Sequence, residues 1–199
     1  AAPQLTANFD GSLPTVAITG ASGFINSAFT ATINFSEDVT GFDISDIAVS
    51  NATLSGFTGT GSSYTVLVTP TADGAVTLDV ASDVAVDIAN NGNTAATQLT
   101  ATYDVEVPTV AISGATGNIN APFTATITFS EDVTGFDVTD ITTGNATLSG
   151  FAGTGSSYTV LVTPTADGEV TLDVAAAIAL DVANNSNTAA TQLSATFDG

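Results

Sequence analysis

The chain is written twice. Pro14-Thr15-Val16-Ala17-Ile18 returns as Pro108-Thr109-Val110-Ala111-Ile112, and the same spacing runs to the end without an insertion or deletion. Residues 11–104 set against 105–198 are identical at about 70 of 94 positions. Self-similarity at a fixed period makes each copy one structural unit, so two tandem domains are expected, 11–104 and 105–199. The opening segment, residues 1–10, matches 95–104 and 189–198. It therefore reads as the last strand of a preceding repeat. Either the chain continues a longer array, or this spare strand is donated to a neighbour.

Within one copy, short β-branched runs alternate with Gly, Asp, Asn and Pro, and no helical periodicity is sustained. The expectation is an all-β sandwich of about seven strands per repeat. Phe29-Thr30-Ala31-Thr32-Ile33-Asn34-Phe35 alternates strictly, which puts Phe29, Ala31, Ile33 and Phe35 on one buried face. Its copy keeps Phe123, Ala125, Ile127 and Phe129 there. Pro14–Thr19, Tyr64–Thr69, Val76–Val80 and Leu99–Tyr103 are further strands, with weaker ones near Ile47–Ser50 and Ala52–Phe57. Thr69-Pro70-Thr71-Ala72-Asp73-Gly74 supplies turn chemistry between two of them. Gly41–Ile47 breaks the alternation, and an Asp there can cap a single helical turn.

Composition excludes several functions. Twenty Asp and Glu face no Lys, Arg or His, giving a formal charge of −20. No salt bridge between side chains can form, and a polyanion of this kind repels nucleic acid and anionic lipid headgroups. Salt shortens the range of its self-repulsion, so a saline exterior suits it. Without Cys there is neither disulfide nor thiol chemistry, and stability must come from packing or bound metal. The apolar runs are broken by Thr, Ser, Asn, Gly and Pro, so they read as strands, with no signal peptide or membrane span among them.

The ordered series PTVAI, FTATINFSEDVTGFDISDI, NATLSGF, SYTVLVTPTADGAVTLDVA and DIANNGNTAA resembles the bacterial Ig-like repeats found in tandem in very large surface proteins and adhesins. The likeness covers both copies entirely. It implies an Ig-like sandwich, placement at the bacterial cell surface, a spacer or adhesive-stalk role, and frequent calcium dependence. Asn90 and Asn184 stand where such repeats commonly have Gly, which bears on the backbone of that loop.

In an Ig-like topology the entering segment, the loop after the second strand and the loop before the last strand meet at one end of the sandwich. For the first repeat this gathers Asp10, Glu37, Asp38, Asp87, Asn90, Asn91 and Asn93. For the second it gathers Asp104, Glu106, Glu131, Asp132, Asp181, Asn184, Asn185 and Asn187. Carboxylates together with Asn and backbone carbonyls supply the hard oxygens that calcium requires, and no basic side chain exists to neutralise them. Calcium is the expected structural ion. The competing reading is solvated loop acids and turn-forming Asn. Magnesium fits less well, since it keeps more of its water.

No catalytic role is expected. Asp43 with Asp46, and Asp137 with Asp140, are repeated acidic pairs, but capping a short turn accounts for them. A glycosidase pair would need a cleft of sugar-stacking aromatics, and the chain has no Trp. Ser62 and Ser63 have no His or Lys to activate them. Thr rows such as Thr30-Thr32 and Thr65-Thr69 read as the solvent face of strands. The expected function is a structural extender in a cell-surface adhesin or extracellular fibre, with calcium stiffening the junctions between repeats. Two alternatives are a filament subunit assembled by donation of residues 1–10 and a weak, multivalent glycan-binding module.

Overall fold

In the computed structural model, residues 9–199 are described. The strand expected over residues 1–10 lies, but for Phe9 and Asp10, outside that range. The chain divides into two compact units with the boundary after Asp104.

The first unit is a sandwich of two four-stranded sheets. One sheet has the order β1 (Val16–Thr19), β3 (Phe29–Phe35), β6 (Ser63–Pro70), β5 (Ala52–Thr60), with every neighbouring pair antiparallel. The other has the order β2 (Gly23–Ile25), β8 (Leu99–Tyr103), β7 (Gly74–Val80), β4 (Ile47–Ser50). Here β2 runs parallel to β8 and the remaining pairs are antiparallel.

Alternation fixes which faces meet. Ala31, Ile33 and Phe35 from β3 and Tyr64, Val66 and Val68 from β6 bury against Val76, Leu78 and Val80 of β7. Each fully buried Val, Leu or Ile side chain is worth about 1.5–3 kcal/mol of transfer free energy. An aromatic group closes one end of this core. Phe42 meets Phe35 edge-on at 5.1 Å and Tyr64 at 5.1 Å, while Phe57 stacks on Tyr64 at 5.6 Å.

The second unit repeats this plan with β9 (Val110–Ser113), β11 (Phe123–Phe129), β14 (Ser157–Pro164) and β13 (Ala146–Thr154) in one sheet. Its other sheet holds β10 (Gly117–Ile119), β16 (Leu193–Phe197), β15 (Gly168–Val174) and β12 (Ile141–Gly144).

Among the described residues each unit thus has eight strands where the alternation pattern gave about seven. The addition is the three-residue β2 or β10, which opens on a left-handed glycine (Gly23, φ 73°; Gly117, φ 71°) and is too short to show a period. The capped turn is present as a 3-10 segment, Ile44–Asp46 and Val138–Asp140. Asp43 accepts from the Ser45 N–H at 2.7 Å, and Asp46 accepts from the Asp43 N–H at 2.8 Å. Among the described residues no helix is long and apolar enough to cross a membrane.

Candidate metal centre

The segment between β7 and β8 builds the site around a buried asparagine. Asn93 is 1% exposed. Its Oδ1 accepts from the N–H groups of Val84 (3.0 Å) and Ala85 (2.8 Å), and its Nδ2 donates to the carbonyls of Ala81 (2.8 Å) and Thr94 (2.8 Å). Four bonds from one side chain replace the ladder that a loop lacks. Asn187, 2% exposed, repeats all four in the second unit.

Two residues past Ala85, the loop folds onto Asp87. Its Oδ1 accepts from the Asn91 N–H at 2.8 Å and its Oδ2 from Asn91 Nδ2 at 2.9 Å. Closing that turn requires a left-handed residue at Asn90, with φ 66°. Asp181 and Asn185 pair in the same way at 2.7 and 2.8 Å, with Asn184 at φ 69°. Asp87 is only 4% exposed and Asp181 3%.

The remaining carboxylates arrive through backbone contacts. Thr40 exchanges backbone bonds with Val86 (2.8 and 3.0 Å), which brings the loop after β3, and so Glu37, beside Asp87. Asn91 Nδ2 also donates to the Asp10 carbonyl at 3.2 Å, and Thr94 donates to Pro14 at 2.9 Å, which holds the entering segment. The result is a trio, Asp10, Glu37 and Asp87, with one carboxylate oxygen from each within 4.8 Å of the others. Asp104, Glu131 and Asp181 form the equivalent trio for the second repeat.

The two best-defined carboxylates respond oppositely. Loss of hydration, then the charges of Asp87 and Asp10, push Glu37 above the ordinary glutamate value. Hydrogen bonds from Asn91, its side chain foremost, hold Asp87 below the ordinary aspartate value against the opposing effect of burial. Asp87 is therefore a fixed anion, while Glu37 bears the repulsion.

Both repeats match one domain model, described as a bacterial Ig-like domain, over residues 10–103 and 104–197. The chain belongs to the bacterial Ig-like domain family. Among curated proteins none matches the sequence. Three solved structures are similar to this chain. The Escherichia coli adhesin FdeC is 16% identical, with a TM-score of 0.46 over 96% of this chain and 66% of its own. Invasin, a bacterial integrin-binding protein, is 13% identical, with a TM-score of 0.44 over 92% of this chain and 40% of its own. The Yersinia pseudotuberculosis adhesin InvE is 14% identical, with a TM-score of 0.34 over 94% of this chain and 59% of its own. The chain spans less than two thirds of each of these.

In these bacterial Ig-like repeats the residues read from the sequence fall into distinct positions. Asp10, Glu37 and Asp87, with Asp104, Glu131 and Asp181, form the trios. Asn91 and Asn185 hold the buried aspartate. Asn93 and Asn187 have both oxygen lone pairs occupied by backbone N–H groups, so they are scaffold rather than ligand. Asn90 and Asn184 occupy left-handed backbone, a conformation that glycine and Asn adopt most readily. Asp38 and Asp132 lie instead under Gly61 and Gly155, and Glu106 is exposed; none of the three belongs to a trio.

Three carboxylates of this spacing suit a hard divalent cation, because only oxygen donors are offered and the chain holds no internal counter-charge. The sequence names Asn93 and Asn187 but not their bracing role, because Asn in a loop carries the same letter whether it caps, ligates or braces. For Asn91 and Asn185, which hold the buried aspartate, the DxxxN spacing from Asp87 and Asp181 is the signal.

Proposed function

We propose that this chain is a structural extender, a segment of a stalk or fibre displayed outside a bacterial cell, in which calcium bound at each trio stiffens the segment entering that repeat. The observation that supports it is the origin of the three carboxylates. One comes from the entering segment (Asp10 or Asp104), one from the loop after β3 or β11, and one is buried in the loop before the last strand. A cation held by all three ties the linker to the body of its own repeat.

Calcium fits the donor set through its preference for six to eight oxygens, with backbone carbonyls and water completing the shell. It also offsets the charges of Asp87 and Asp10, which add to loss of hydration in raising Glu37. A spacer needs no catalytic group, only resistance to bending and unfolding. The absence of Lys and Arg leaves trypsin-like proteases without a cleavage site, in keeping with life outside the cell.

Small-angle scattering and thermal unfolding of the whole chain test this, in millimolar calcium and again with chelator. Calcium is expected to raise the melting temperature and narrow the distribution of interatomic distances. Asp87→Asn combined with Asp181→Asn is expected to remove both effects. Profiles and melting curves that coincide with and without calcium reject the reading.

A further inference from the structure

The distribution of charge over the two sheets of each repeat is unequal. All four strands of the β1-β3-β6-β5 sheet, and all four of the β9-β11-β14-β13 sheet, lack a charged residue. Strand acids occur in the opposite sheets alone, as Asp79 in β7 and Glu169 and Asp173 in β15; the other acids lie in loops or capped turns.

The outward side chains of the neutral sheet are in register. Thr19 pairs with Thr32, Thr32 with Thr65, and Thr65 with Thr58, which makes one rung of four threonines across four strands. The next rung is Thr30, Leu67 and Ser55, with Leu67 40% exposed at the middle of the face. In the second repeat the corresponding rungs are Ser113, Thr126, Thr159, Ala152 and Thr124, Leu161, Ser149. A surface of methyl and hydroxyl groups without a charge lacks the usual device that keeps sheet faces apart.

We propose that this neutral sheet face is a lateral contact surface for a second copy of the chain. Charge assigns the occupant. A chain of −20 with no cationic side chain has no surface that complements its own acidic loops, so two copies meet with least repulsion neutral sheet on neutral sheet. Such a contact is self-complementary and two-fold. A basic partner would be drawn to the loops instead.

Size sets the strength. Four strands at about 4.8 Å spacing and about seven residues long present on the order of 450 Å². Stable interfaces bury about 800 Å² per partner, so one face pair is weak and association grows with the number of repeats engaged. Added salt strengthens it, because screening removes the repulsion between the acidic ends while the contact itself holds no ion pair.

The test is sedimentation velocity of the whole chain from micromolar to millimolar concentration, at low and at seawater-like ionic strength with calcium present. The sedimentation coefficient is expected to rise with concentration, more steeply at high salt. Thr32→Asp with Thr65→Asp, Thr126→Asp and Thr159→Asp should abolish the rise. A control adding the same charge to the opposite sheets, Thr77→Asp, Thr100→Asp, Thr171→Asp and Ser194→Asp, should retain it, with circular dichroism confirming that both variants are folded. A concentration-independent coefficient at high salt, loss of association in the control, or a monomer retained instead on a neutral polysaccharide would each overturn the proposal. Because calcium is held constant, failure here leaves the stiffening experiment unaffected.

Discussion

A Cβ added to Gly92 would lie on the Asp83 carboxylate, and the second repeat carries Ser186 and Ala177 at those two positions. The copies have changed both partners of one contact together. Where the first repeat keeps a carboxylate it has no side chain opposite, and where the second has a side chain the carboxylate is gone.

Gly92→Ser alone should destabilise the first repeat by about 1–3 kcal/mol through overpacking. Adding Asp83→Ala should recover most of the loss. Urea unfolding of the four members of this double-mutant cycle measures the coupling.

Ala177 adopts φ 61°, a left-handed conformation that costs an alanine about 1–2 kcal/mol. Its counterpart in the first repeat is Asp83 at φ 61°, a residue type that tolerates the region better. Ala177→Asn should therefore stabilise the second repeat by about 0.5–1 kcal/mol. A rise in the denaturation midpoint with unchanged m-value is the expected result.

Asn93→Ala should be among the most damaging single substitutions in the first repeat. It removes the partner of one buried and one half-buried N–H group and of two carbonyls, at a cost of about 3 kcal/mol. Asn93→Asp should be damaging too, because a carboxylate cannot donate to Ala81 and Thr94. Hydrogen exchange at Val84 and Ala85 should accelerate in either variant.

The pH dependence without divalent cations has two opposite limbs. Glu37 titrates above its ordinary 4.5, so its contribution is fully present below that value and is lost as pH rises through the folded value. Asp87, Asp43 and Asp137 titrate below their ordinary 3.8, so their contributions are present above it and are lost as pH falls through their folded values. The melting temperature in chelator should rise on acidification from neutral pH toward 4.5 and fall below 3.8. Glu37→Gln should reduce the first limb and leave the second.

Much of the fold was legible in the letters. Strict alternation at Phe29–Phe35 put Ala31, Ile33 and Phe35 in the core, where they are buried. Asp43 announced the capped turn because its short side chain can reach the second N–H after it. The eighth strand was hidden, since three residues hold no period and its partner β8 is remote in sequence. At the candidate centre, residue type indicated oxygen chemistry but could not separate roles. Asp38 sits beside Glu37 in sequence yet outside the trio, because the chain bends after β3 and the Asp38 carboxylate lies against Gly61 instead.

By itself, then, the sequence determined the repeat, the all-β character, the polyanionic charge and the need for an external counter-charge, all of which follow from local period and composition. Tertiary structure alone decided that Asp10, Glu37 and Asp87 meet, that Asn93 braces rather than binds, and that the neutral strands lie side by side in one sheet. Those outcomes depend on which distant strands pair and in which register, and hydrogen-bond partners far apart in the chain leave no mark on the residues between them.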